Sequence, residues 1–301
     1  MENQTQFEVV IIGGSYAGLS AALALGRAIR QVLVLDGGQP CNRTTPHTHN
    51  FLTQDGRAPG ELAAQAKAQV LAYPTVQFCS ELAVAAQGKD NEFTVTTATG
   101  RVVQARKLLF ATGVRDLLPD LPGYAECWGI SVIHCPYCHG YEYRGQPTGI
   151  LLNGDVAFEQ ARLLRQWTDQ LTIFTNGASV IQDEHRQQLV AMRVNVEEAP
   201  VQALKHQGGF LTNVVLADAR QLPLTTLYAR PAFEQHCTLS HALGCTQTEA
   251  GHIAVDGFQK TSRAGIYAAG DATALLRAVS QAVATGGVAG VMLNHELLAP
   301  V

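Results

Sequence analysis

The chain has 301 residues, 47% hydrophobic and 15% charged, with a formal net charge of −4 from 21 basic and 25 acidic side chains. That length suggests two domains at ~150 residues each, and a charged share below the roughly 25% of an average soluble domain leaves material for large cores and a buried subunit interface. With no basic run, no apolar stretch of the ~18 residues that a membrane span needs and no secretion-signal pattern at the N-terminus, a soluble cytoplasmic protein is expected, bound to neither nucleic acid nor membrane.

In chain order, Val9-Val10-Ile11-Ile12 is an unbroken apolar run ending in Gly13-Gly14, the mark of a buried parallel strand. Ala17, Gly18 and an Ala/Leu-rich stretch to about Arg30 predict a helix. Val32 to Leu35 predicts a second buried strand, closed by Asp36-Gly37-Gly38. Residues 61–71 predict a helix and residues 76–110 short strands, with turns at Gly88 and Gly100. The last of these strands ends at Ala111-Thr112-Gly113, and Leu118 to Gly123 reads as a linker. A second strand–helix–strand unit then follows: Gly149 to Leu152, Ala157 to Trp167, and Leu171 to Phe174. Residues 194–229 predict strands and turns, Arg230-Pro231 a second crossing, and Gly265 to Asp271 a strand with its turn. An Ala/Val/Gly-rich helix from about Val279 to Leu298 ends the chain.

The chain resembles itself. Aligning Gly13 with Leu152, without a gap, puts Ser15 on Gly154, Gly18 on Ala157, Asp36 on Thr175, and Val32–Leu35 on Leu171–Phe174. Two dinucleotide-binding units of one design are expected. In such a unit the first Gly makes a tight turn, the second admits the pyrophosphate, and the third lets helix pack on strand. The helix N-terminus then faces the phosphates, and an acid about 20 residues on takes the ribose hydroxyls. The first unit supplies Gly13, Ser15, Gly18 and Asp36, with Ser in place of the middle Gly. The second has Leu152 where the tight-turn Gly belongs, Gly154, Ala157, and Thr175 in place of the acid, with no Arg beside it in sequence. It reads as a nicotinamide site or as a unit kept for its fold with a weakened site. A Cβ at that position also disfavours the positive φ of the tight phosphate turn, so weak nucleotide binding is expected there.

Ile130 to His134 predicts a strand, followed by Cys135-Pro136-Tyr137-Cys138-His139-Gly140. Two Cys separated by two residues can close a small disulfide ring, and one thiol of such a pair can be a low-pKa nucleophile. Beside a strand–helix–strand unit this reads as a redox motif. The string also fits a c-type haem attachment site, which normally follows export. A zinc site would need further ligands, and none is expected. Cys41, Cys79, Cys127, Cys237 and Cys245 have no sequence partner and are expected to pack as small apolar groups.

The Gly-rich turn, Ala111-Thr112-Gly113, the Cys pair and Gly270-Asp271, in this order, resemble the low-molecular-weight thioredoxin reductase family of flavoproteins over nearly the whole chain. The resemblance implies an α/β fold of two Rossmann-like domains, the second inserted into the first: an FAD domain of residues 1–117 plus 236–301, and an NAD(P)-binding-like domain of residues 118–235 carrying the Cys pair. It implies a homodimer. It implies FAD contacts from Gly13, Ser15, Ala17, Gly18, Asp36, Asn50, Thr112, Gly113, Gly270, Asp271, Ala278 and Val279, and backbone at Arg277. It makes Cys138 the flavin-proximal sulfur and Cys135 the exchanging one.

Thioredoxin reductases usually place Asp after the second Cys; here His139 stands there. The run Cys135 to Glu142 looks more like the dithiol oxidase branch of gliotoxin and holomycin type, which passes electrons to oxygen. The weak second site also resembles that branch and the ferredoxin-linked or nucleotide-independent relatives. His139 is the expected proton carrier, a residue that titrates near neutral pH. His47-Thr48-His49, before Asn50, reads equally as pocket lining or as solvated loop. Three functions stay open. The first is an FAD-dependent dithiol/disulfide oxidoreductase with weak or no NADPH use, acting on a small dithiol or a thioredoxin-like protein. The second is a conventional NADPH-fed thioredoxin reductase. The third is a flavin-bound redox sensor that is not an enzyme.

Overall fold

In the computed structural model, which describes residues 5–298, the chain divides into two compact units. The first comprises residues 1–43, 51–115 and 233–301, and the second residues 44–50 and 116–232. The crossings therefore fall at 115/116 and 232/233. The segment Thr44–Asn50 groups with the second unit, whereas the family pattern puts Asn50 in the first.

The first unit opens with β1 (Gln6–Ile12), α1 (Tyr16–Arg27), β2 (Val32–Leu35), α2 (Pro59–Leu71), β3 (Val76–Cys79), β4 (Ala83–Lys89), β5 (Glu92–Thr97), β6 (Val102–Phe110) and β7 (Val114–Leu117). The second contains α3 (Tyr124–Cys127), β8 (Val132–Ile133), α4 (Pro136–His139), β9 (Thr148–Leu151), α5 (Asp155–Leu164), β10 (Leu171–Phe174), α6 (Asp183–Ala191), β11 (Asn195–Glu197), β12 (Val201–Gln207), β13 (Phe210–Leu216), β14 (Gln221–Pro223) and β15 (Thr226–Ala229). The chain ends with β16 (Ala232–Gln235), α7 (Leu239–Ala242), β17 (Ile266–Ala268) and α8 (Val279–Leu297). Helix α6 was not expected. It is polar and barely amphipathic, and its sequence signal is the pair Asp183-Glu184 in its first turn.

Each unit is an α/β layer. In the first, parallel strands run β3-β2-β1-β6, and β6 shares its other edge: β17 pairs in parallel with its C-terminal half and β5 antiparallel with its N-terminal half. In the second, parallel strands run β11-β10-β9-β15-β8, with a separate antiparallel sheet β12-β13-β14. The strand order β3-β2-β1-β6-β17 thus has its counterpart in β11-β10-β9-β15-β8, so the expected pair of Rossmann-like units is present, the second inserted into the first. The apolar runs Val9-Val10-Ile11-Ile12 of β1 and Val32–Leu35 of β2 are buried, one face packed on α1, α2 and α8 and the other on residues of β4, β5 and the segment of residues 243–253.

What positions the first unit's turn is the packing of α1 on α8. A Cβ on Gly286 would lie 2.1 Å from the Ala17 carbonyl oxygen, so small residues let the helix backbones touch. Ser20 Oγ donates to the Val283 carbonyl at 2.7 Å. At the other end of α8, Glu296 accepts from the buried Lys107 of β6 at 3.1 Å and from the Tyr267 hydroxyl at 2.6 Å.

Candidate functional site

In the first unit, β1 ends at Gly13, whose φ is +108°, and a Cβ there would sit 2.2 Å from the Ala111 carbonyl oxygen. Only glycine fits that turn. A Cβ on Gly18 would lie 1.9 Å from the Gly13 oxygen, so the helix starts directly against the turn. Ser15 is the N-cap of α1; its side chain makes no capping bond, and no acid stands in the first turn. Asp36, at the end of β2, accepts from the Gly14 N–H at 3.2 Å. Thr112 Oγ1 is buried without a hydrogen-bond partner. Gly270 and Ala17 touch, since a Cβ on Gly270 would lie 2.9 Å from the Ala17 Cβ, and the Gly270 N–H donates to Thr285 Oγ1 at 3.0 Å. Gly13, Ser15, Ala17, Gly18, Asp36, Thr112, Gly113, Gly270 and Asp271, with Ala278 and Val279 at the start of α8, all belong to this unit.

Asp271 has a neighbour that sequence reasoning missed. Cys41 donates to its Oδ2 at 3.4 Å, and Arg277 Nε lies 3.6 Å from the same oxygen. Burial, then the charge of Asp271, push the Cys41 thiol up to about 11, so it stays a protonated donor. Cys41 is therefore not the apolar filler expected. Cys127 and Cys245 are buried in cores.

The second unit's turn is built differently. Leu152 does not take a positive φ; Gly154 does, at +71°. Leu152 keeps ordinary backbone, as its Cβ favours, and the positive φ falls on Gly154. Asn153 fills it: Oδ1 accepts from Gly154 N at 2.8 Å and Val180 N at 3.0 Å, and Nδ2 donates to the Ala178 carbonyl at 2.9 Å. Thr175 Oγ1 donates to the Gly177 carbonyl at 2.6 Å. Asp155 stands in the first turn of α5, where it accepts from Gln182 Nε2 at 2.9 Å and lies 2.8 Å from His185 Nδ1. Two arginines distant in sequence reach the strand end beside Thr175. Arg220 pairs with Glu197 at 2.6 Å and Arg186 with Glu198 at 3.4 Å, so each already holds a carboxylate. The backbone at these two glutamates bonds Thr175 and Gly177.

The redox motif lies in the same unit. Cys135 and Cys138 form a disulfide, with Cα atoms 5.3 Å apart. Cys135 caps α4, its Sγ accepting from the Cys138 N–H at 3.2 Å. Pro136 opens the turn. Gly140 closes it: a Cβ there would lie 2.5 Å from the Pro136 oxygen and 3.0 Å from Trp167 Nε1. Tyr137, exposed, meets Trp167 edge to face. The strand before the pair is only Val132–Ile133; His134 has left it to stack on Trp128.

His139 follows Cys138 in the same turn. Burial, then the imidazole of His49, push its pKa down to about 4; Glu142 opposes and His47 adds to the depression. The expectation of a group titrating near neutral pH is corrected: His139 is uncharged there. His49 lies edge to face with His139, ring centroids 6.3 Å apart, and its Nε2 is 3.6 Å from Glu142 Oε1. His47 is 6.3 Å from His49. Residues 44–50, Asn50 included, group with the second unit.

Two Rossmann-like α/β units, one carrying a disulfide ring, are the architecture of a disulfide oxidoreductase, and the chain belongs to the pyridine nucleotide-disulphide oxidoreductase family, whose profile matches residues 7–286. Within it the chain is a thioredoxin reductase-like enzyme. It is 33% identical to thioredoxin reductase sirT of Leptosphaeria maculans, over 97% of this chain and 94% of that one. Among solved structures it is similar to an oxidoreductase from Agrobacterium tumefaciens (38% identity, 98% of this chain and 100% of that one, TM-score 0.92). It is also similar to HlmI (36% identity, 97% and 93%, TM-score 0.91). Family membership implies a flavin cofactor and a thioredoxin-like or dithiol partner, and argues against the non-enzymatic sensor. Among the described residues, no helix is long and apolar enough to cross a membrane.

Proposed function

We propose that the chain is an FAD-dependent dithiol/disulfide oxidoreductase that makes weak or no use of NADPH, works as a homodimer, and exchanges electrons with a small dithiol or a thioredoxin-like protein, with oxygen or a ferredoxin as the further redox partner. The observation that carries this reading is the contrast between a glycine turn whose helix start carries neither side-chain cap nor acid and, in the unit that holds the disulfide, a turn filled by Asn153.

The residues fit FAD. The Gly13–Gly18 cradle leaves no room for a Cβ, the first turn of α1 carries neither cap nor acid, and Thr112 offers a buried, unpartnered hydroxyl. Ser15, Ala17 and Gly18 would face the pyrophosphate through backbone N–H groups and Asp36 would take the ribose diol. Gly113, Gly270, Asp271, Ala278 and Val279 would hold the rest, with Cys41 and Arg277 fixing the Asp271 carboxylate. Asn50, in the other unit, would serve the disulfide side. Bound there, FAD supplies a two-electron donor or acceptor for the cysteine pair.

In the direction of dithiol oxidation, a substrate thiolate attacks Cys135 Sγ. The Cys135–Cys138 bond breaks, and Cys138 leaves as a thiolate. The second substrate thiolate attacks its partner sulfur in the mixed disulfide and displaces Cys135. The substrate loses two electrons and two protons; the cysteine pair gains the electrons, and its two leaving thiolates take up the protons. His139, uncharged at neutral pH, accepts a proton from the attacking thiol.

Weak use of NADPH follows from the second turn. Asn153 occupies it, and Asp155 puts a carboxylate where a phosphate would need a positive helix end. Anaerobic visible spectra test the reading. Dithiothreitol should bleach the flavin, and NADPH or NADH should do so poorly. Rapid, saturable bleaching at micromolar NADPH would restore the ordinary reductase.

A further inference from the structure

Gly14, between the tight-turn Gly13 and Ser15, has no positive φ and yet admits no side chain. A Cβ there would lie 2.7 Å from the Asp36 Cβ and 2.7 Å from the edge of the Phe78 ring. Phe78 thus stands beside the acid, directly against the backbone of the glycine turn. The pairing of β3 with β2 puts it there: Val34 opposes Phe78, and the Asp36 N–H donates to the Cys79 carbonyl at 3.0 Å. Lys67 reaches the same place from α2, whose Leu62 and Val70 are buried in the core shared with α1. Its Nζ lies 3.5 Å from the centre of the Phe78 ring, and both residues are half-buried. Among the described residues that ring is the only partner of the ammonium; no carboxylate pairs with it and no acceptor bonds it. A partly desolvated cation resting on a ring alone gains from any anion that enters beside it. Close to a helix N-terminus, itself a positive end, such a cation is stabilised only when a negative group joins it.

We propose that Lys67, carried on the face of Phe78, is the cation that holds the diphosphate of the flavin dinucleotide. It adds a side-chain charge to a cradle made of backbone N–H groups at the start of α1. Phe78 positions it, by fixing the ammonium beside the turn while leaving it unpaired until the cofactor arrives. This rests on the reading of the first unit as an FAD site. No motif marks either residue, since Lys67 lies in the middle of a helix and Phe78 on the neighbouring strand.

The test follows loss of flavin from the purified protein on dilution, read as the rise in FAD fluorescence, so it does not depend on turnover. Lys67→Met keeps the apolar stem and removes the charge. It should release FAD roughly tenfold faster, the loss expected of one charged contact. Lys67→Arg, which keeps the charge, should stay within about twofold of the native rate. Raising NaCl from about 0.1 to about 1 M cuts the screening length from roughly 10 to 3 Å. That change should speed release from the native protein and from Lys67→Arg far more than from Lys67→Met. Phe78→Leu should fall between the two, and a native rate there overturns the part given to the ring. Circular dichroism should match throughout. A Lys67→Met protein that releases FAD at the native rate, with the native salt dependence, overturns the assignment and leaves the FAD site standing. Lys67→Arg releasing as fast as Lys67→Met marks a packing role and overturns it too. So does an Asp36→Asn protein in which adding Lys67→Met changes nothing, because the cation then serves that carboxylate. Native protein that is colourless and takes up no FAD removes the flavin reading, and the role of Lys67 with it.

Discussion

The two strand–turn–helix units share a backbone plan and differ in how their side chains use it. At the first turn, Gly13 at φ +108° lies against Ala111, Asp36 accepts from Gly14, and no side chain caps α1. At the second, Leu152 keeps ordinary backbone, Gly154 carries the positive φ, and Asn153, Asp155, His185 and Thr175 bond to their own surroundings. A turn filled by a side chain that bonds its backbone N–H groups has little left for a ligand; one whose helix start carries neither side-chain cap nor acid keeps its N–H groups for it. The second unit instead carries the Cys135–Cys138 disulfide and the cluster of His47, His49 and His139. Duplicated folds can thus diverge by spending the same backbone donors on different acceptors.

The sharpest way to break this contrast is to disable each unit's proposed device separately. Cys135→Ser and Cys138→Ser should each reduce dithiol turnover to background, because one thiol cannot complete the exchange. Leu152→Ala should leave it within about twofold, since nothing there touches the proposed chemistry. Only the variant keeping Cys138 should show a long-wavelength thiolate–flavin band. The band appearing with Cys135 retained would reverse the two roles.

Next in size is the first turn itself. Gly13→Ala puts a Cβ 2.2 Å from the Ala111 oxygen at a positive φ, and should cost more than ~2 kcal/mol of stability and most of the bound flavin. Protein that purifies yellow with a native melting temperature would refute the cradle.

The pH dependence of stability separates the His cluster from a solvated loop. The folded pKa of His139 is about 4, below its unfolded value near 6.5. The contribution is therefore complete above about pH 6.5 and is lost as pH falls through about 4, on the order of 2–3 kcal/mol at most. Melting temperatures across that window should fall more steeply in the native protein than in His139→Asn. Parallel curves would return the histidines to solvent.

Smaller effects compare the acids. Asp36→Ala should weaken FAD retention roughly tenfold, as loss of a charged hydrogen-bond acceptor does, while Thr175→Ala should not alter flavin content. Asp155→Ala should tighten NADPH about two- to fivefold, the worth of one charge at a helix N-terminus. An unchanged NADPH affinity, read from flavin bleaching, would mean that Asn153 alone closes the turn.

The strand runs Val9–Ile12 and Val32–Leu35, the glycine turn at Gly13, the long C-terminal helix and the close Cys pair were legible in sequence, because each is set by neighbours within a few residues: an apolar period, a missing Cβ, a two-residue spacer. The self-alignment of Gly13 with Leu152 carried the doubled fold for the same reason. What tertiary structure alone decided is where distant polar groups meet. His49 and His139 are far apart in the chain, as are Cys41 and Asp271, and no local pattern marks either pair. The basicity of His139 belongs to that category, since burial and facing charges set it rather than residue type. So does the ease of Leu152, where the turn moved two residues on to a glycine that could take the positive φ. Local sequence constrains backbone shape; long-range packing sets dielectric, charge contacts and which donors remain open to a ligand.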